Sequence, residues 1–514
     1  MIKNLLLASI LAIITVCTSG QPETVKSLIP ESNNFTTYDY FNTWNMQAYI
    51  CSYSSNEDMR KAMNEENIFQ DSLYRNWIGF YPEIRKDLIF VLDDSWDIPK
   101  DKNESKDNEY MGSLELDEER FPSFTGTVTE RIKKLVDTVK ANGWKGLGLW
   151  ICAQEAPVYG QVDAVTYWIE RLKVANDAGV SYWKVDWGKN GRNIAWRKML
   201  TDLGEKYAPK LVIEHAMNEK CIEISDVYRT YDVENVIAQP VTIDRIAKLL
   251  HYKPSDGAKG IINCEDEPYI AAALGCAFGI QRHKYTGNLP NGETDVAFPA
   301  AGRNIKMRLD EVARGVGWHH IAEPFGVGDA NYSIDTIKLK DRWIMGVRES
   351  WCTWCKGRQP GDTLSAKAPA RVSRGLPLPE VQNPTPDQPF VLSSLYPDGA
   401  IAIATIGRGI NRTYSIQRKN VTQAIYNLDF PIGIFGDYQS LTFKLPFSVE
   451  GKKYLVLGQD LAGDVPVNIS KEISFKENEV IIPGDVIRKV GLSAATKGDL
   501  SDPGLVLRFR QITE

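Results

Sequence analysis

Acidic and basic residues recur in this sequence at the ends of short apolar runs. Asp93-Asp94-Ser95-Trp96 closes the run that starts at Leu88, Gln154-Glu155 follows Trp150, and Lys184 and Asp186 stand two apart at the end of the next run. Glu214-His215 closes the following one, and Arg229 with Asp232 the one after that. Taken singly, each acid reads as a helix N-cap or a solvated loop residue. Five successive runs that all deliver carboxylates are a different matter, because like charges repel in a shared concavity unless something binds there. Trp44, Trp96, Trp150, Trp183 and Trp187 fall at the starts or ends of the same runs. Each can be core packing, yet flat rings beside carboxylates also suit sugars, whose C–H faces stack while their hydroxyls bond to acids. Cleavage of a glycosidic bond needs two carboxyl groups flanking the anomeric carbon, one as acid and one as nucleophile or base.

Other chemistries find less support. His319-His320 with Glu323 lacks a convincing third ligand and the spacing of a known metal site, and Cys352-Thr-Trp-Cys355 has no second CxxC or His pair at zinc-ribbon spacing, so it reads as a local disulfide or two buried thiols. No GxSxG elbow, P-loop or dinucleotide fingerprint occurs. Neither a metal nor a cofactor is therefore expected.

What must position these residues is a series of strands and helices. Leu88–Leu92 is a continuous apolar run ending in acids, as in a strand buried on both faces. Val128–Asn142 shows helical spacing, with Gly143 at its stop. Strand runs at 146–151, 182–186, 211–214, 227–229 and 260–263 then alternate with helical patterns at 162–178, 194–207 and 241–250. Such alternation requires a parallel sheet with right-handed crossovers, and six or more units favour a closed (β/α)8 TIM barrel. Barrel strands all point one way, so the groups at their C-terminal ends converge on one mouth. Lys184 and Asp186 share a face of their strand and can both point inward.

Helical periodicity disappears beyond the Pro-rich stretch 377–389, which reads as an extended linker. Alternating apolar runs at 400–405, 440–445, 453–457 and 479–482 predict a C-terminal all-β sandwich over 390–514, leaving 35–376 for the barrel. The 514 residues are 43% hydrophobic and 25% charged, with 60 Lys+Arg against 66 Asp+Glu and a net charge of −6, so no basic field exists to hold nucleic acid. Lys3, the apolar stretch 5–16 and Thr18-Ser19-Gly20 form a bacterial export signal over residues 1–20. Cys17 sits where a lipoprotein signal places its acylated cysteine, so ordinary cleavage and a lipid anchor both stay open. That anchor is the single membrane contact expected. Seven further cysteines, scattered and odd in number, make no disulfide framework.

Several of these segments together resemble a known family. Val91-Leu-Asp-Asp-Ser-Trp96, the loop Gly112-Ser-Leu-Glu-Leu-Asp-Glu-Glu-Arg-Phe-Pro122 and the helix and strand over 132–150 are similar to the α-galactosidase/α-N-acetylgalactosaminidase group, glycoside hydrolase family 27. Asn42-Thr-Trp-Asn45, Tyr182-Trp-Lys-Val-Asp-Trp187 and Tyr228-Arg-Thr-Tyr-Asp-Val-Glu234 resemble its first-, fourth- and sixth-strand motifs in consistent order over roughly residues 40–330. The resemblance implies a retaining exo-glycosidase acting on terminal α-galactosyl groups, with Asp186 as nucleophile and Asp232 as acid/base. It further implies Asp93 and Asp94 on O4 and O6 of the sugar, Lys184 on O3 or O4, and Glu214 and Arg229 on O2, with Trp44, Trp96 and Trp150 beside them. Arg229 lies one residue closer to Asp232 than the family spacing, which leaves Glu234 as the fallback acid. Trp150-Ile-Cys-Ala-Gln-Glu155 is nearer to the related family 36, which adds Gln154 or Glu155 as a substrate contact. A β-L-arabinopyranoside is the alternative substrate, and a non-catalytic carbohydrate-binding protein the alternative class.

Overall fold

Eight short parallel strands, each hydrogen-bonded to the next and the eighth to the first, close the expected (β/α)8 barrel: β1 (Tyr40–Asn42), β2 (Ile89–Leu92), β3 (Gly146–Ile151), β4 (Tyr182–Val185), β5 (Val212–His215), β6 (Val227–Arg229), β7 (Ile261–Glu265) and β8 (Ala277–Ile280). This is a computed structural model, and it describes residues 26–32, 35–51, 55–70, 75–100, 102, 108–231, 237–281, 299–300, 303–304, 308–344, 359–411 and 413–512. The export signal with Cys17, the acids Asp232 and Glu234, and the Cys352/Cys355 pair lie outside the described residues.

The strand runs are apolar throughout because both faces are covered. In β2, Ile89 and Val91 point into the barrel, while Phe90 and Leu92 pack under the surrounding helices. The bore is filled low down by Tyr40 and Tyr182, whose ring centres lie 5.3 Å apart. Glycines on neighbouring strands make room for them. A Cβ at Gly148 would come within 2.7 Å of Val91 and 3.1 Å of Tyr182, and one at Gly279 within 2.4 Å of the Tyr40 ring.

Three short helices, α1 (Trp44–Ile50), α2 (Asn56–Lys61) and α3 (Glu65–Phe69), fill the connection between β1 and β2. The longer α4 (Val128–Ala141), α5 (Ala164–Ala178), α6 (Ile194–Tyr207) and α7 (Ala238–Leu249) ring the barrel, followed by α8 (Pro268–Leu274) and α9 (Leu309–His319). Local chemistry sets their ends. Thr127 and Glu130 form a capping box at the start of α4, Asp163 caps α5, and Gly179 ends α5 in the left-handed region at φ 78°. None of the helices in the described residues is long and apolar enough to cross a membrane.

The β-rich unit begins earlier than the composition indicates. Strand Tyr332–Ile334 already belongs to an eight-stranded sheet that continues through Arg371–Arg374, Phe390–Leu395 and Ile401–Ile406 to Gly504–Gln511. The Pro-rich stretch is therefore not a spacer between domains. Its Glu380–Val381 pairs with Asn420–Ala424 in a second, five-stranded sheet, because proline is compatible with a short edge strand. The two sheets make the expected sandwich. Ile401 and Ile403 face the five-stranded partner, whereas Ala402 and Ala404 on the opposite face pack into the core shared with the barrel. Small residues there let the alanine-rich α8 lie close against the sheet. The bidentate pair of Arg314 on α9 with Asp460 (2.8 and 3.0 Å), both buried, fastens the two parts together.

Candidate active site

Seven of the eight strands contribute a polar side chain, or one placed just beyond their ends, to the upper half of the bore: Asn42, Asp93, Lys184 and Asp186, Glu214, Arg229, Asn263 and Glu265, and Gln281. Trp150 comes from the remaining strand, β3. The alternation that buries Ile89 and Tyr182 carries on upward and brings these residues to the inside.

At the centre lies Asp186, only 7% exposed. The Trp150 indole donates to its Oδ2 (2.9 Å), and Arg229 Nη2 stands 3.2 Å from its Oδ1. Burial alone would raise this carboxyl. The charges of Arg229 and Lys184, together with the indole hydrogen bond, outweigh burial and hold it below the ordinary carboxylate range. Arg229 is itself buried, and acids hold it: its Nε donates to Glu214 Oε1 (3.0 Å) and its Nη1 to Glu265 Oε1 (2.6 Å). Gln281 also donates to Glu265 (2.7 Å), and Tyr182 to Glu214 Oε2 (2.9 Å). Burial pushes Glu214 up to about 7 despite the Arg229 and Lys184 charges.

A second group of charges flanks the first. Lys184 Nζ donates to Asp93 Oδ2 (2.6 Å), and Arg60 of α2 donates to Asp94 Oδ2 (3.1 Å) while Ser95 donates to Asp94 Oδ1 (2.8 Å). Burial raises the Asp94 carboxyl, partly offset by Arg60. The Arg60 guanidinium also lies over the Trp187 ring, 5.4 Å from its centre. Among the described residues the mouth thus sets five carboxylates against three cations. Non-glycine residues with left-handed backbone follow four of the strands: Ser95, Met217, Tyr231 and Asp266, with φ of 85°, 70°, 60° and 57°. Such strained positions persist where surrounding structure enforces them and concentrate at functional sites.

Several expected contacts are placed elsewhere. Trp96 is fully buried with its indole donating to the Trp150 carbonyl (2.8 Å), so it supports β3 and offers no face to a ligand. Glu214 is likewise fully buried, and both its oxygens accept from protein donors, so it orients Arg229 from below. Glu155 points to the barrel's outer side, where it accepts from the indoles of Trp168 on α5 (2.7 Å) and Trp196 on α6 (3.0 Å). Gln154 ties two loops, donating to the Met111 carbonyl and accepting from the Lys189 amide. Trp44 is half-buried at the start of α1, and Trp183 faces outward against Trp168. His319 and His320 sit at the opposite end of the barrel, bonded to Asp39 (2.6 Å) and to Asp87 and the Pro30 carbonyl. The described residues contain no group of three or more His, Cys, Asp or Glu side chains placed to hold a metal ion.

Arg60, Glu265, Gln281, Tyr40 and Tyr182 enter the site without having been singled out in the sequence. Glu265 was legible in principle, since Ile261, Asn263 and Glu265 alternate along β7. Arg60 was not, because its helix belongs to the long connection after β1 and meets Asp94 only through the fold.

No protein-family model matches the chain, and no curated sequence does. Among solved structures it is similar to a candidate α-galactosidase from Bacteroides fragilis at 13% identity and a TM-score of 0.43, covering 93% of this chain and 80% of that one. It is also similar to α-galactosidase I from Mortierella vinacea, at 12% identity and a TM-score of 0.40 over 96% and 99% of the two chains. An α-amylase from Geobacillus thermoleovorans, complexed with acarbose, follows at 8% identity and a TM-score of 0.42 over 93% and 100%. At such identities and TM-scores no activity transfers from those proteins, and the barrel stands on this chain's own strand register.

Proposed function

We propose that the chain is an exported retaining exo-glycosidase that removes terminal α-galactosyl-type residues from oligosaccharides or polysaccharides. The observation that carries this reading is the setting of Asp186: buried at the barrel mouth, gripped through one oxygen by an indole, faced at the other by a guanidinium, and kept ionised. A glycosidase nucleophile needs those properties. In the first step the Asp186 carboxylate attacks the anomeric carbon while Asp232, three residues past Arg229, protonates the departing oxygen. In the second, Asp232 takes a proton from water, and that water displaces Asp186 and restores both carboxyls. The two carboxyls must then lie about 5–5.5 Å apart. The pairs Asp93–Lys184 and Asp94–Arg60 supply acceptors and donors for ring hydroxyls, and the half-buried Trp187 an apolar face. Arg229, braced by Glu214 and Glu265, acts by positioning and charging Asp186.

The test is turnover of aryl α-galactoside, α-N-acetylgalactosaminide and β-L-arabinopyranoside substrates. Wild type should cleave one of them with retention, and Asp186→Asn should lose activity on the order of 10³-fold or more while still binding the sugar. A wild type that binds sugar and cleaves none of the three would point to a carbohydrate-binding protein. Full activity in Asp186→Asn would remove the nucleophile assignment.

A further inference from the structure

Behind the barrel wall, α6 sends one side chain to the strand end that carries Asp186. Arg197 stands in the first turn of that helix, which Asn193 caps by accepting from the Trp196 amide (3.2 Å), and it is fully buried. A buried cation beside the positive end of a helix is unfavourable on two counts, so it persists only with its donors satisfied. Its Nη2 donates to the Asp186 carbonyl (2.7 Å), its Nη1 to the Val185 carbonyl (3.1 Å), and its Nε to the Gly191 carbonyl (2.8 Å) in the loop that follows.

The fork is aimed by His215, the residue after Glu214 on β5. Nη1 also donates to His215 Nδ1 (3.0 Å); a guanidinium only donates, so Nδ1 accepts and the ring proton sits on Nε2. Nε2 then donates to Thr201 Oγ1 (2.9 Å), whose own hydrogen goes to the Arg197 carbonyl (3.2 Å), and the circuit closes within one turn of α6. Burial and the Arg197 charge hold the imidazole well below its ordinary pKa, so this neutral tautomer persists.

Asp186 is thereby fixed on three sides. Its amide donates to the Ile151 carbonyl of β3 (2.9 Å), its carbonyl is held by Arg197, and its Oδ2 accepts from Trp150 (2.9 Å). With the main chain and one oxygen anchored, Oδ1 has little freedom left. Arg197 also adds its charge to those of Arg229 and Lys184 that keep this carboxyl ionised. A displacement of about 1 Å at a reacting atom can cost about 100-fold in rate, so such anchoring bears directly on turnover.

We infer that Arg197 is a positioning residue for the nucleophile, fixing the Asp186 main chain from the helix side while neutral His215 orients its guanidinium. The inference rests on the glycosidase reading above and extends it from the residues that line the bore to a pair enclosed behind them.

The experiment measures kcat, KM and the pH profile of Arg197→Met, Arg197→Lys and His215→Leu on the aryl glycoside that wild type cleaves. Arg197→Met should lower kcat about 100-fold with KM within about threefold of wild type, and move the acid limb of the profile to higher pH. Arg229 and Lys184 still face the carboxyl, so the limb should move less than in an Arg229 variant. Arg197→Lys keeps the charge and loses the fork, so its acid limb should match wild type while kcat falls about tenfold. His215→Leu leaves the three carbonyl bonds in place and should lower kcat several-fold at unaltered KM; it decides the matter should the arginine variants fail to fold. Wild-type kcat in His215→Leu or in a folded Arg197 variant, or losses that appear wholly in KM, would overturn the inference. So would equal losses in Arg197→Met and Arg197→Lys with no movement of the acid limb, which would mark a merely structural role. If wild type cleaves no glycoside, the glycosidase reading fails, and the indole resonance of Trp150 in protein carrying isotope-labelled tryptophan, identified by its loss in Trp150→Phe, decides the positioning separately. A resonance that shifts in the three variants sustains it, and one that stays in place overturns it.

Discussion

Replacing Arg229 with methionine removes a cation that three buried carboxylates share, at 3.2 Å from Asp186, 3.0 Å from Glu214 and 2.6 Å from Glu265. Stripping the partner from a buried ion pair costs about 3–5 kcal/mol, a large part of a typical domain's stability. The loss should depend on pH, and its sign follows from the charges. Arg229 lowers the carboxyls of Asp186 and Glu214, so both move upward without it. A carboxyl whose pKa is raised in the folded state binds its proton more tightly folded than unfolded. Its penalty is absent below the unfolded value near 4, grows as pH rises from there to the folded value, and is complete above it. Arg229→Met should thus lose the full ~3–5 kcal/mol at pH 8 and a small part of it at pH 5. Urea unfolding of wild type and variant at both pH values measures this, with equal slopes confirming that the transitions are comparable. The acid limb of the activity profile should move to higher pH as Asp186 becomes harder to ionise. A loss equal at the two pH values, or below about 1 kcal/mol at pH 8, would refute the picture of Arg229 as the charge that balances the mouth.

Two further predictions concern the same bore. Glu214, pushed up to about 7 from an ordinary 4.5, lowers wild-type stability by about 3 kcal/mol as pH rises through that interval. Glu214→Gln keeps the shape without the titration, so its unfolding midpoint should vary less with pH and overtake that of wild type above pH 7. A pH dependence identical to wild type would show that another group is responsible. Gly148→Ala forces a methyl to within 2.7 Å of Val91 and 3.1 Å of Tyr182, and overpacking of this kind should cost about 1–3 kcal/mol, read as a lower thermal midpoint.

The barrel was legible because its signal is periodic and repeated: continuous apolar runs, helical spacing between them and polar residues at the ends. The same rule of alternation that put Lys184 and Asp186 on one face also places Arg229 and Glu265 inside. It could not say how deep each residue sits. Glu214 and Trp96 lie at strand ends like Asp186, yet register places one beneath Arg229 and the other behind Trp150, where neighbours enclose them fully. Glu155 shows a different failure. One residue of phase in the turn after β3 sends its carboxylate to the helices and their indoles. The domain boundary was misplaced because proline content reads as a linker, whereas strand pairing across long sequence separations, such as Tyr332–Ile334 with Arg371–Arg374, leaves no local mark.

A retaining mechanism on Asp186 requires covalent attachment of sugar to one of its oxygens. A 5-fluoro glycosyl fluoride of the sugar that the protein cleaves should slow both steps and trap the intermediate, and peptide mapping by mass spectrometry should find the sugar ester on Asp186. An ester on any other residue, or a product with inverted anomeric configuration and no trapped ester, would contradict it.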